Sequence, residues 1–188
     1  MKKITLYAKF NYSECDEDLV LTLEEYLNSQ AEAIYHFFDN SLSRDLVEIN
    51  IVSTKREYDK IVCERKGVKC IPKWEIGNSH ENIIEYVSLH DYKNTSHGFS
   101  LDKYSEYLEY YKRTIIHEFV HYVVNLYCKK HNIDFPLKYL NEGIAQYLSG
   151  QRKDTNLTFE YSLDDILNSR NCYLGWYLLT KFIIENYD

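Results

Sequence analysis

Residues 114–124, "TIIHEFVHYVV", decide the fold prediction, because two histidines and a glutamate interrupt an otherwise apolar run. Burying three ionisable groups is costly unless they have partners. The run belongs to a longer stretch, from about Leu101 to Lys130, in which apolar residues recur at intervals of three and four, the period of a helix packed into a core. The sequence therefore predicts a long buried helix that carries His117, Glu118 and His121.

The spacing of these three residues suits a metal centre. Residues four apart lie one turn from each other on the same face of a helix, so His117 and His121 can offer imidazole nitrogens to a single ion. Zinc binds neutral imidazole readily. Glu118 points beside such an ion, where a carboxylate can take a proton from water as a general base. The alternatives are two core histidines bonded to main chain and, for Glu118, a carboxylate in a structural metal site.

A catalytic zinc also needs a third protein ligand and an open position. The segment "YLNEGIAQYLSG", residues 139–150, predicts a second helix from about Leu137 to Ser149, closed by Gly150 in the usual stop position. Glu142 on this helix is the candidate third ligand. The alternative for Glu142 is an ordinary glutamate on the exposed face of an amphipathic helix.

Together, HEFVH and NEGIAQ resemble the gluzincin branch of the zinc metallopeptidases, which includes the thermolysin, aminopeptidase and clostridial-collagenase types. The resemblance covers about residues 104–150 closely and the C-terminal helix more loosely. It implies that His117, His121 and Glu142 bind one Zn²⁺ per chain and that Glu118 activates the attacking water. Hydrolysis of peptide bonds in a peptide or protein substrate is the activity that it implies.

Further residues follow from the same resemblance. Zinc ligands need orienting hydrogen-bond partners, and Asn141 and Gln146 are the candidates, although Gln146 stands where some relatives carry an acidic residue. Relatives also use a tyrosine or histidine to stabilise the oxyanion of the tetrahedral intermediate. The run "NCYLGWYLLTKFIIENYD" resembles their C-terminal helix, which makes Tyr173 the candidate, with Tyr177 and Tyr161 in reserve and core packing as the alternative role.

The remaining patterns predict an α+β, zincin-like fold. We expect a small mixed sheet with an edge strand over the helix that carries HExxH, followed by a helical C-terminal part. We also expect one domain over residues 1–188, with strands and helices in 1–100 and the metal site in 101–188. The strand from Ile83 to Leu89 resembles the edge strand on which such enzymes pair an extended substrate. Two further strands are predicted, one in "KITLYAKF" and one from Leu46 to Ser53. Two helices are predicted in the N-terminal half, from Leu19 to Phe38 and from Thr54 to Arg65, the second ending at Gly67. Two more are predicted near the C-terminus, from Ser162 to Asn168, opened by the capping box "SLDD", and from Tyr173 to Asn186.

Composition narrows the classes of partner. The 188 residues carry a net charge of −7 without a basic stripe, which argues against nucleic acid, and no stretch is apolar enough for a membrane span. Five cysteines without a CxxC pair favour reduced thiols, and we expect them to be small buried residues of a cytoplasmic protein. The other histidines are expected on surfaces or loops, with His90 and His97 of more interest because they flank the presumed edge strand.

The sequence thus favours a zinc peptidase, with an endopeptidase preferred because no GxMEN motif of the aminopeptidase type precedes the helix. Two alternatives remain open. One is a zincin-fold binding or regulatory module whose metal only orders the helices. The other is a hydrolase of a non-peptide amide or ester.

Overall fold

The computed structural model describes residues 1–96, 103–153, 162–169 and 172–187. It has mixed helix and strand content, with a five-stranded sheet in the order β1-β2-β3-β5-β4. The three central strands run parallel, and the two outer strands pair antiparallel with their neighbours. The strands are β1 (Lys2–Ile4), β2 (Ala8–Asn11), β3 (Val47–Val52), β4 (Gly77–His80) and β5 (Ile83–Val87).

The helices match the sequence predictions closely in number and limits where they are described. Gly67 and Gly150 both adopt the left-handed conformation that ends a helix, as predicted for each position. Ser162 forms the predicted capping box with Asp165. The helices are α1 (Glu17–Phe38), α2 (Lys55–Lys66), α3 (Tyr104–His131), α4 (Lys138–Ser149), α5 (Leu163–Asn168) and α6 (Tyr173–Asn186); the predicted start of α3, at about Leu101, lies outside the described residues.

The opening segment forms two strands rather than the single strand predicted from "KITLYAKF". The chain reverses between Ile4 and Ala8, where the main-chain N–H and the side-chain hydroxyl of Thr5 both donate to the carbonyl of Ala8. Strand β1 then pairs antiparallel with β2, with Ile4 opposite Lys9. The reversal uses no glycine, proline or asparagine, so the usual signals of a hairpin turn were absent from the sequence.

The predicted edge strand is wrong in position. Ile83–Val87 forms β5, an inner strand between β3 and β4, while Leu89 begins a 3₁₀ helix. The edge strand of this side is β4, Gly77–His80, with the sequence "GNSH". Residues of this kind have low β propensity, and pairing with β5 rather than composition makes them a strand.

Helix α3 lies against both the sheet and α1. Tyr86 of β5 and Tyr111 of α3 pack with their ring centroids 4.3 Å apart, and the Tyr111 hydroxyl donates to the carbonyl of Val87 at 3.0 Å. On the α1 side, Phe119 meets Tyr35 edge to face at 5.8 Å. These contacts fix the rotation of α3 about its axis and thereby which residues face the cleft. None of the described helices is both long and apolar enough to cross a membrane.

Candidate metal centre

His117, Glu118 and His121 lie in the section of α3 that packs into the core. Ile115, Ile116 and Phe119 are almost fully buried around them, and His117 and Glu118 each keep only 8% of their surface exposed. The remaining exposure opens into a cleft of about 990 Å³. The apolar contacts of α3 therefore hold the polar side chains at a defined place in the cleft wall.

Helix α4 brings Glu142 to both histidines. Its carboxylate oxygens lie 3.4 Å from His117 Nε2 and 3.8 Å from His121 Nε2. The two Nε2 atoms are 3.0 Å apart. One donor atom from each of the three residues thus falls within 4.8 Å of the others. The structure brings together the residues that the sequence predicted as ligands.

These separations fit a zinc ion. Tetrahedral coordination with bonds of about 2.0–2.1 Å places neighbouring donor atoms about 3.3–3.4 Å apart. The two Nε2 atoms are 3.0 Å apart, Glu142 Oε2 lies 3.4 Å from His117 Nε2 and Glu142 Oε1 lies 3.8 Å from His121 Nε2, so the three distances bracket that value. The chemistry also fits, because two imidazoles and one carboxylate form a ligand set typical of catalytic zinc.

The charges at the centre favour cation binding. Burial alone would raise the pKa of Glu142, but its hydrogen bond to His117 and the charges of His117 and His121 lower it to about 2. Burial disfavours protonation of His117, yet the hydrogen bond to Glu142 and the charges of Glu118 and Glu142 raise its pKa overall. The pKa of His121 is lowered by burial and by His117. Glu142 is therefore an anionic donor at neutral pH.

Asn141 orients one of the histidines, as predicted. Its side-chain oxygen accepts a hydrogen bond from His121 Nδ1 at 3.1 Å, which leaves the lone pair of His121 on Nε2, towards the centre. Gln146 has a different place from the one predicted. Its amide donates to the main-chain carbonyl of Glu142 and its oxygen accepts from Arg152 Nε, so it supports α4 rather than a ligand side chain.

The sequence did not predict a partner for Nδ1, the second ring nitrogen of His117. His117 Nδ1 is buried without a hydrogen bond of normal geometry. Gln151, from the turn after α4, lies close enough to influence the His117 pKa, and its amide donates to Thr114 Oγ1 at 3.2 Å. Gln151 is therefore better placed than Gln146 to orient this ring.

Glu118 lines the cleft but does not belong to the group of converging donor atoms. It neighbours His117 in sequence and points to the same cavity. A carboxylate in that place would lie beside an ion held by the three converging donors without being one of its ligands, and its role as general base stays a prediction.

Tyr173, the first residue of α6, also reaches the cleft. Burial raises its pKa to about 12, with contributions from the negative charges of Glu142, Glu75 and Glu118. Its hydroxyl is consequently a hydrogen-bond donor throughout the neutral range. Tyr177 is buried against Tyr147, with ring centroids 6.5 Å apart, and does not line the cleft. Tyr161 lies outside the described residues.

The opposite wall of the cleft comes from the edge strand and the segment before it. Trp74 packs edge to face on Tyr173 at 6.4 Å, and the residues of β4 follow. Sequence reasoning missed this wall because "KWEIGNSH" carries no pattern of a strand. Lys138 and Arg152 also line the cleft, and no motif or spacing in the sequence predicts that they do.

Gly143 explains how α4 can lie so close to α6. A Cβ at this position would come within 2.0 Å of Thr180 Oγ1 and 2.6 Å of the Trp176 carbonyl. The backbone carbonyl cannot yield as a flexible side chain would. The glycine that follows Glu142 is thus a packing requirement, and it fixes the depth at which α4 presents its carboxylate.

We expect Gly143→Ala to lower the free energy of unfolding by about 2 kcal/mol. Because the added methyl would meet a backbone carbonyl at 2.6 Å, we take the upper end of the overpacking cost, about 3 kcal/mol, and subtract the gain of about 1 kcal/mol from alanine's helix propensity. Urea unfolding followed by circular dichroism measures the difference, with Lys153→Ala at an exposed position as control. Equal stability of Gly143→Ala and wild type would show that the two helices do not approach this closely.

Comparisons with protein-family models, with curated proteins and with solved structures gave no match. The assignment of the site therefore rests on its own geometry and on the motif resemblance.

Proposed function

We propose that this protein is a zinc-dependent peptidase of the gluzincin type, with a zincin-like arrangement of sheet and helices. The observation that carries the proposal is the convergence of His117, His121 and Glu142 from two helices, at separations suited to one zinc ion. The position of Glu118 beside them supports catalysis over a purely structural metal, because a structural site has no need of an additional buried carboxylate facing the cleft.

In the proposed mechanism, His117, His121 and Glu142 would hold one zinc ion. When bound, the ion would supply Lewis-acid chemistry, which polarises a carbonyl and lowers the pKa of water. Glu118 takes the proton from the attacking water and passes it to the leaving amine. Tyr173 donates a hydrogen bond from its hydroxyl to the oxyanion that develops on the former carbonyl oxygen. Asn141 keeps His121 in the tautomer that presents Nε2.

The edge strand supports a peptide substrate. β4 pairs with β5 on one side and ends the sheet on the other, and all four of its residues line the cleft. An extended peptide can add to such an edge through main-chain hydrogen bonds. In this mode the protein binds the substrate's backbone along the strand and not a chain terminus, so it favours cleavage inside the peptide chain.

The proposal is tested by incubating the zinc-loaded protein with a library of internally quenched peptides and locating the cleaved bonds by mass spectrometry. We expect internal cleavage that a chelator abolishes and added zinc restores. Peptide binding without cleavage would favour the binding module instead. Cleavage confined to small amide or ester substrates would favour the third interpretation.

Tyr173→Phe should reduce kcat by about 10²- to 10³-fold, the usual effect of removing one oxyanion donor. The ring remains, so its packing on Trp74 and the zinc content should not change. Tyr177→Phe, one turn along the same helix but away from the cleft, is the matched control and should keep wild-type activity. Equal kinetics of the two variants would assign the oxyanion to another donor.

A further inference from the structure

A second group of metal-ligand side chains lies away from the cleft. Cys15, Asp16 and His90 each place a donor atom within 4.8 Å of the other two. We propose that they form a second metal site, which binds a zinc-class divalent cation. No spacing in the sequence connects them, because His90 and Cys15 are 75 positions apart.

The topology explains why these residues meet. Strands β2, β3 and β5 are parallel, so their carboxyl ends share one edge of the sheet. Cys15 and Asp16 belong to the 3₁₀ helix Glu14–Asp16 that follows β2, and His90 belongs to the 3₁₀ helix Leu89–Asn94 that follows β5. The carboxyl edge of parallel strands is where such sheets commonly bind ligands.

Asp16 is held as a preoriented ligand. It is fully buried, and its two carboxylate oxygens accept hydrogen bonds from the hydroxyls of Ser13 and Ser88. Within the described ranges no lysine or arginine forms an ion pair with it. The Cys15 thiol also donates to Asp16 Oδ2, at 3.8 Å, so the described partners of this buried carboxylate are all neutral groups, and a nearby cation would stabilise it.

His90 and Cys15 supply the other two donor atoms, and their exposure leaves the site open to solvent. His90 Nε2 donates to the main-chain carbonyl of Cys15 at 2.9 Å, the type of contact that orients metal-binding histidines, and it leaves Nδ1 with the lone pair for an ion. Cys15 is an exposed free thiol, not the buried residue expected from the sequence, and His90 is exposed as well. An ion can therefore enter from solvent.

The donor set selects the class of metal. A thiolate with an imidazole favours zinc over magnesium or calcium, which prefer all-oxygen ligands. Three protein donors leave one position of a tetrahedral ion to Ser13 or water. Bound there, the ion would tie the turn after β2 to the turn after β5 and so stabilise this edge of the sheet.

Cobalt substitution tests the second site separately from the cleft. The zinc-free full-length chain is titrated with Co²⁺, and the near-ultraviolet sulfur-to-cobalt charge-transfer absorption is recorded. The cleft ligands include no sulfur, so this absorption cannot come from an ion in the cleft, and the cysteine variants below assign it to a particular thiol. We expect it in the wild type and equally in Glu142→Ala, so that failure of the proposed peptidase centre would leave this result intact.

Two exposed positions provide the decisive variants. Cys15→Ser should remove the absorption, and His90→Ala should weaken cobalt binding by at least about tenfold, since even outer partners of a ligand contribute about 10–100-fold. Cys70→Ser and His36→Ala alter an exposed thiol and an exposed imidazole elsewhere and should behave as wild type. No sulfur-to-cobalt band in the wild type, or a band that survives Cys15→Ser, would overturn the proposal.

Discussion

Glu118→Gln should lower kcat by about 10²- to 10⁴-fold, the contribution typical of a positioned general base, while the zinc content stays at the wild-type level. Glutamine has the size of glutamate but cannot accept the proton of the attacking water. Glu118 is mostly buried, so a substitution of equal volume keeps the packing of α3. It is not one of the converging donor atoms, so the metal centre keeps its ligands.

The measurement combines kcat and KM on a cleaved peptide with metal analysis and circular dichroism. Glu106→Gln, an exposed change in the first turn of the same helix, is the matched control. Full activity of Glu118→Gln would place the general base elsewhere. Loss of zinc together with activity would instead show that Glu118 supports the metal centre.

The convergence of His117 and His121 could be predicted from sequence because their spacing is local. His117 and His121 lie on one helical face by the period of the helix, which the apolar residues around them also reveal. Glu142 required a further step, the expectation that the next helix returns beside the first. The structure shows why it does so: Gly143 lets α4 pack closely against α6, and α4 in turn contacts α3.

The edge strand could not be predicted in the same way. Strand β4 consists of residues that usually form turns, and its conformation depends on pairing with β5. β5 is richer in β-branched and aromatic side chains because it is buried, with Ile84, Tyr86 and Val87 fully covered. Strong strand character therefore marked an inner strand, whereas the strand that borders the cleft had almost none.

Side-chain contacts between residues distant in sequence could not be predicted either. The motif resemblance makes Gln146 a candidate partner of a ligand, yet its side chain bonds to Arg152 and to main chain. Gln151 occupies a place near His117 because the chain turns back after Gly150, a turn whose direction the sequence does not specify. Orientation around a metal ligand depends on such tertiary details more than on helical period.

Glu142→Ala should weaken zinc binding at the cleft by more than about 100-fold, because even hydrogen-bond partners of a ligand contribute about 10–100-fold. The change removes the only carboxylate of the converging group and leaves two histidines on a single helix. Alanine favours helix, so α4 should persist. Zinc content by plasma mass spectrometry, in a Cys15→Ser background that removes the proposed second site, should fall from about one ion per chain to nearly none.

Glu81→Ala in the same background is the matched control, because Glu81 is an exposed carboxylate lining the same cleft. It should retain its zinc, and circular dichroism should show both variants folded. Zinc retained by Glu142→Ala would exclude Glu142 as a necessary ligand. A protein with Glu142 intact that takes up no zinc, even when the metal is added back, would contradict the catalytic proposal and favour a binding module built on the same helices.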